Sequence, residues 1–242
     1  MAILDPQGTR VPEMNLKVID DGSFNDLTTE DLFSGKTVIV FGLPGAFTPT
    51  CSSNHVPRFD RLADTFKRHG VDDILCVSVN DAFVMRAWRK DQKVKNVKFV
   101  ADGNGDFTGE IGLLVDKSNI GFGKRSWRYS MLVRDGVIEK TFIEPEKPGD
   151  PFEVSDADTM LQHIAPGAKP PHDVFMLIRH GCRHCDRARE ALKKAEMDWE
   201  EIPATQVMLR AVSKTPTTPR VFIDGELIGG ADELIEWLAA EN

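Results

Sequence analysis

Four cysteines, Cys51, Cys76, Cys182 and Cys185, offer this 242-residue chain its most reactive side chains. Cys182 and Cys185 form a C-x-x-C pair, a spacing suited to thiol–disulfide exchange. His180 and His184 lie beside the pair, so a metal site is the alternative. No second ligand pair stands at zinc spacing, because Cys51 and Cys76 are far apart in sequence, and redox chemistry is preferred. Cys51 closes the segment FGLPGAFTPTC, residues 41–51. It falls where a loop becomes a helix, and free N–H groups at a helix N-terminus favour a thiolate. Thr48 lies three residues earlier, within reach of a thiolate or a bound oxygen. Pro44 and Pro49 stiffen the loop. A lone cysteine is more often a small buried residue, but the threonine, the two prolines and the helix start set Cys51 apart. Cys76 falls mid-strand in an apolar run and is read as structural.

The elements that must position these side chains alternate between strand and helix. Residues 37–43, TVIVFGL, form a β-branched apolar run that ends in a turn at Pro44 and Gly45. Helical spacing of Val56, Phe59, Leu62, Ala63 and Phe66 predicts a helix over 51–69. Strands are expected at 74–79 and 97–100, with a helix at 82–92 between them. Segments 128–133 and 137–142 flank Asp135-Gly136, a hairpin turn pair. In the C-terminal part, 174–178 reads as a strand, and the C-x-x-C opens a helix to about residue 196. A helix at 206–212, strands at 220–223 and 226–228 around Asp224-Gly225, and a helix at 231–240 follow. Pro145, Pro148, Pro151, Pro166, Pro170 and Pro171 mark a change of composition between the two parts. Proline fixes φ and lacks an N–H, so residues 164–172 read as a semi-stiff linker between domains 1–163 and 173–242. The fold class is α/β, and no internal repeat is found.

Composition excludes several classes. Hydrophobic residues make up 41% and charged residues 28%, an ordinary globular mix rather than a disordered or collagen-like one. No apolar run reaches the roughly 18 residues of a membrane span. The net charge of -8 gives no general attraction to nucleic acid or anionic lipid, so neither a nucleic-acid nor a membrane partner is expected. Four cysteines are too few for a disulfide scaffold. Residues 1–10, MAILDPQGTR, carry no basic segment followed by an apolar core, so a reducing, cytoplasmic location is expected.

Pro44, Thr48 and Cys51 match P-x-x-x-T-x-x-C, and on this motif residues 1–163 resemble the peroxiredoxins, the peroxiredoxin-5 or type II group in particular. Two further segments agree: ILCVSVNDAFVMRAW at 74–88 and KRSWRYSMLVRDG at 124–136. The resemblance implies a thioredoxin fold, with Cys51 as peroxidatic nucleophile and Arg128 as active-site arginine. It implies hydrogen peroxide and alkyl hydroperoxides as substrates, and a homo-oligomer, dimer or tetramer, through this domain. Thiolate attack on a peroxide gives a sulfenic acid. Arg125 is the competing arginine, for which a surface salt bridge is expected. Phe47 and Trp127 are open between pocket lining and core or interface.

Residues 172–242 resemble a glutaredoxin, on GCRHC at 181–185 and TTPRVFIDGELIGG at 217–230. This implies a second, smaller thioredoxin fold. Cys182 becomes the nucleophile and Cys185 an optional resolving thiol. Thr218-Pro219 matches the family's cis-proline position. The implied glutathione site comprises Arg179, Thr218, Pro219, Gly230, Ala231 and Asp232, with Gly229 in the turn. The motif Cys-Arg-His-Cys departs from the commoner Pro-Tyr filling, which removes one tyrosine contact and leaves His184 open between replacing it, tuning thiol acidity and being a solvated helix residue.

Together these readings imply a glutathione-dependent thiol peroxidase with no bound cofactor or metal and glutathione as reducing co-substrate. A peroxide sensor that passes oxidation to partner proteins is the alternative. Two glutaredoxin domains bridging an iron–sulfur cluster form a third, and having both Cys182 and Cys185 speaks against it.

Overall fold

In a computed structural model, which describes residues 3–20 and 23–241, the chain divides into two units at the Pro170–Pro171 bond. The first unit is built on a seven-stranded sheet of order β2-β1-β5-β4-β3-β8-β9. Its strands are β1 (Asn15–Asp20), β2 (Ser23–Thr28), β3 (Thr37–Gly42), β4 (Asp73–Ser78), β5 (Lys98–Ala101), β8 (Tyr129–Arg134) and β9 (Val137–Ile143). Strands β3, β4 and β5 run parallel, and β8 returns antiparallel beside β3. The short strands β6 (Leu114–Asp116) and β7 (Lys124–Ser126) form a separate ladder.

The central strands are apolar on both sides because both sheet faces are covered. Ile39, Phe41, Ile74 and Cys76 enter a core with α2 (Val56–Arg61), α3 (Ala63–Arg68), α4 (Ala82–Asp91) and α6 (Ala157–Ile164). Val38, Val40, Leu75 and Val77 enter the opposite core, with α1 (Thr29–Phe33) and α5 (Asp106–Glu110). Asp81 and Asp156 cap α4 and α6 through their side chains. Gly42 pairs with Tyr129, and a Cβ at Gly42 would fall 2.1 Å from the tyrosine ring, so only glycine fits. Ala165 and Ala168, within the expected linker, pack against the first unit's core.

The second unit has a four-stranded sheet of order β11-β10-β12-β13. Its strands are β10 (Val174–Ile178), β11 (Glu200–Pro203), β12 (Arg220–Ile223) and β13 (Glu226–Gly229). Helices α7 (Arg183–Lys194) and α9 (Ala231–Glu241) share one core with Val174, Met176, Val221 and Ile223. Helix α8 (Gln206–Ser213) covers Leu177 and Phe222 through Leu209. Both units have the α/β layering of thioredoxin folds. Among the described residues no helix is long and apolar enough to cross a membrane.

Candidate active sites

The helix expected over 51–69 is broken into three pieces, and the first break shapes the Cys51 site. Cys51–His55 is a π-helical turn in which the Val56 N–H reaches back to the Cys51 carbonyl. Pro57 explains the widening. It has no N–H to donate and its ring crowds the carbonyl four residues earlier. Leu62 then separates α2 from α3. Cys51 is fully buried and carries a free thiol.

Arg128 enters this site from the residue before β8, with only 1% of its surface exposed. Its Nη1 donates to Cys51 Sγ at 3.4 Å and to His55 Nδ1 at 3.2 Å. Its Nη2 donates to both Asp150 carboxylate oxygens, at 2.5 and 2.6 Å. The Phe152 ring lies 5.5 Å from the guanidinium. Burial opposes the arginine's charge, but the Cys51 sulfur and the Asp150 carboxylate outweigh it and raise its pKa.

His55 is buried among Phe41, Phe59 and Phe152. Its Nε2 lies 3.1 Å from the Ser155 carbonyl, which can only accept, so Nε2 carries the proton. Nδ1 is then the acceptor for Arg128. Burial above all, and the Arg128 charge next, push the His55 pKa down to about 3, so the ring is neutral.

The segment carrying Asp150, Phe152 and Ser155 is fixed by Glu144, a buried carboxylate just after β9. Glu144 accepts the N–H groups of Glu153, Val154 and Ser155 and the Ser155 hydroxyl, at 2.8 to 2.9 Å. Its own N–H donates to the Arg128 carbonyl, and its carbonyl accepts Trp127 Nε1. Trp127 therefore belongs to the core, as its place in the second cluster of the first unit also shows.

Thr48 donates its hydroxyl to the Gly45 carbonyl at 2.8 Å, not to Cys51, which leaves its lone pairs as acceptors. Pro44 is partly buried at the loop's start. Asn80 Oδ1 holds the loop by accepting the Ala46 N–H at 3.0 Å. Phe47 is 54% exposed, with a left-handed φ of 61°. Among the described residues Arg125 makes no surface salt bridge of the kind expected. It donates instead to the carbonyl of Val79, just after β4, and to that of Phe122, in the turn before β7. Cys76 is buried opposite Phe41, and burial first, then the nearby Cys51, push its thiol pKa well up.

In the second unit Cys182 is the N-cap of α7 and accepts the Cys185 N–H at 3.2 Å. The Thr218 hydroxyl donates to the same sulfur at 3.3 Å. Cys182 and Cys185 are disulfide-paired, with a Cα–Cα distance of 5.2 Å. Cys182 is half-buried and Cys185 fully buried. The Thr218–Pro219 peptide is cis. Gly230 donates its N–H to Glu233 at 2.8 Å, ahead of Ala231 at the start of α9. Asp232 pairs with Arg187 at 2.6 Å. Arg179 is half-buried just after β10, and His184 is exposed on α7. Among the described residues no group of three or more His, Cys, Asp or Glu is placed to hold a metal ion.

His55, Asp150, Glu144, Phe152 and Ser155 were not singled out from sequence. Only His55 left a signal: four residues after Cys51, it falls on the same helical face. The others sit in or beside an irregular, proline-rich segment.

Comparisons with known proteins place both units in families. The Redoxin family model matches residues 6–161 and the Glutaredoxin model residues 174–228. The chain belongs to the redoxin family as a peroxiredoxin, with a glutaredoxin domain fused behind it, and is thus a thiol peroxidase. Among particular relatives, it is 53% identical to "Hybrid peroxiredoxin hyPrx5" of Haemophilus influenzae, over 96% of this chain and 98% of that one. It is 55% identical to "Peroxiredoxin sll1621" of Synechocystis, over 69% of this chain and 93% of the relative. Reduced Prx3 of Vibrio vulnificus, solved in complex with hydrogen peroxide, superposes with a TM-score of 0.63. That match is 41% identical and covers 66% of this chain and 99% of that one.

Proposed function

We propose that this chain reduces hydrogen peroxide and small alkyl hydroperoxides at the expense of glutathione, using its two units in relay. Cys51 thiolate attacks a peroxide oxygen. A sulfur–oxygen bond forms, the O–O bond breaks, and water or an alcohol leaves with a proton, giving the sulfenic acid. A glutathione thiolate then attacks that sulfur and displaces hydroxide, which takes the proton lost by the glutathione thiol and leaves as water, giving a mixed disulfide. Cys182 thiolate attacks the glutathione sulfur of this disulfide and releases Cys51 as thiolate. A second glutathione attacks the Cys182 adduct and leaves as glutathione disulfide. No bound cofactor is needed; glutathione is a co-substrate.

The observation that carries this reading is the Arg128 contact to Cys51 Sγ at 3.4 Å inside a buried pocket. There a fixed, charged donor is worth far more than in water. Arg128 stabilises the thiolate and the charge that develops on the peroxide. Thr48 accepts a peroxide O–H, and Pro44 shields the loop. In the second unit the α7 N-terminus, the Cys185 N–H and the Thr218 hydroxyl stabilise the Cys182 thiolate. The backbone beside Pro219, with Arg179, Gly230, Ala231 and Asp232, receives glutathione. For this, Asp232 exchanges Arg187 for the γ-glutamyl amine, while Cys185 is dispensable. Fusion in one chain raises the effective concentration of the Cys182 site, to roughly mM for a short linker. A reducing cytoplasm suits such chemistry. The first unit forms homo-oligomers, dimers or tetramers, for which exposed Phe24 and Phe83, stacked 6.1 Å apart, supply apolar surface.

The test is to treat the Cys182→Ser protein with hydrogen peroxide and then glutathione, and to map adducts by mass spectrometry. Glutathione should accumulate on Cys51 and be cleared when Cys182 is intact. A Cys51 that is oxidised yet takes no glutathione defeats the relay and moves the chain toward peroxide sensing.

A further inference from the structure

Arg128 has five N–H donors, and their partners are unequally shared. Nη1 serves Cys51 and His55, and Nη2 is spent wholly on Asp150. Nε is buried and, among the described residues, has no hydrogen-bond partner. A guanidinium is a rigid plane, so gripping one of its nitrogens from both carboxylate oxygens fixes where the others point. Asp150 is well placed for such a grip. Its carboxylate is 41% exposed while Arg128 is 1% exposed, so Asp150 meets the buried cation without losing all its own hydration. Residues 146–150 are exposed and lie outside helix and strand. The segment is anchored downstream, where Glu144 takes three successive N–H groups from Glu153 to Ser155. Lys147 and Glu153 pair across it at 2.9 Å.

We infer that Asp150 is a positioning residue for the peroxide reaction. Its carboxylate holds the Nη2 end of Arg128 so that Nη1 faces the Cys51 sulfur. The unpartnered Nε–H is thereby kept as the donor for a peroxide oxygen. The inference rests on Cys51 being the peroxide-reactive thiol, but not on the glutathione relay. Asp150 itself touches neither the sulfur nor the peroxide.

The test uses the full-length reduced protein, with no thiol present, competing with catalase for hydrogen peroxide; this yields the second-order rate constant of Cys51. Asp150→Ala should lower that rate about tenfold or more, because a small misplacement of a catalytic donor is costly. Asp150→Asn, which keeps an acceptor but no charge, should fall between. Asp150→Glu should recover most of the rate, which a merely structural loss would not do. Thermal denaturation of each variant, read beside the rate, should show a cooperative transition above the assay temperature, even where loss of the Arg128 partner lowers its midpoint. Reduction of a small disulfide by the Cys182 site should be unchanged. An Asp150→Ala rate within twofold of the parent overturns the inference. So does a faster rate, since Asp150 would then compete with peroxide for Arg128. Equal losses in the alanine and glutamate variants also overturn it. A parent protein with no peroxide reaction at all refutes the proposed function instead.

Discussion

Replacing Arg128 by methionine or lysine separates the two things the guanidinium supplies, charge and direction. The Nη1–Sγ distance is 3.4 Å. Two unit charges that far apart attract by about 5 kcal/mol at an effective dielectric constant near 20. Asp150, on the same guanidinium, takes part of that field, so about 3 kcal/mol is left for the thiolate and the transition state. Removing it should slow peroxide reduction roughly 10²-fold in Arg128→Met. Lysine keeps the charge but offers three donors from one point, whereas Arg128 reaches Cys51, His55 and both Asp150 oxygens from two nitrogens. Arg128→Lys should therefore lose about tenfold or more, despite its unchanged charge. Catalase competition on the reduced protein measures both rates, and a urea transition checks that each variant is folded. If Arg128→Met reacts within threefold of the parent, the electrostatic account of Cys51 is wrong. If Arg128→Lys equals the parent, charge alone matters and the directed hydrogen bonds do not.

Other parts of the molecule make independent predictions. His55 is held near 3 in the folded chain, against 6.5 when unfolded, by burial and then by Arg128. Between those values the unfolded chain binds a proton that the folded one refuses, so stability falls as pH drops from about 6.5 toward 3. The loss is on the order of 4 kcal/mol across that window, and urea midpoints of His55→Gln should decline less on acidification. Glu144→Ala strips three backbone N–H groups of their acceptor and should destabilise the first unit by about 3 kcal/mol, read from its thermal transition. Gly42→Ala drives a methyl group into Tyr129 and should cost about 2 kcal/mol or more, measured by chemical denaturation. Thr218→Val removes a hydroxyl donor from Cys182 and should slow reduction of a small disulfide several-fold, about 1 kcal/mol.

Much of this was legible in the chain itself. The run TVIVFGL becomes β3, and the Asp135-Gly136 and Asp224-Gly225 pairs become hairpin turns between β8 and β9 and between β12 and β13. Periodicity worked there because one physical cause, burial of alternate or successive apolar residues, dominates those segments. It failed where that cause is weak. Strand β2, SFNDLT, is largely exposed and shows no apolar pattern, and α1 has only five residues. The 51–69 helix was too simple because helical spacing continues through Pro57, while the missing N–H widens the first turn. Cys51 and Cys182 stand out by residue type and spacing, whereas Arg128 is reached only through the resemblance to the peroxiredoxins; in the structure Arg128 lies 3.4 Å from the Cys51 sulfur. Asp150 and Glu144 were not legible, since their roles depend on where an irregular segment returns to Arg128 and His55. Nothing in local sequence encodes that return.

The relay from Cys51 to Cys182 is tested most directly by NADPH consumption in the presence of glutathione, glutathione reductase and hydrogen peroxide. The intact chain should turn over, Cys51→Ser and Cys182→Ser should lose nearly all activity, and Cys185→Ser should keep most of it. Full activity in Cys182→Ser would contradict the account, because Cys51 would then be reduced without the glutaredoxin unit.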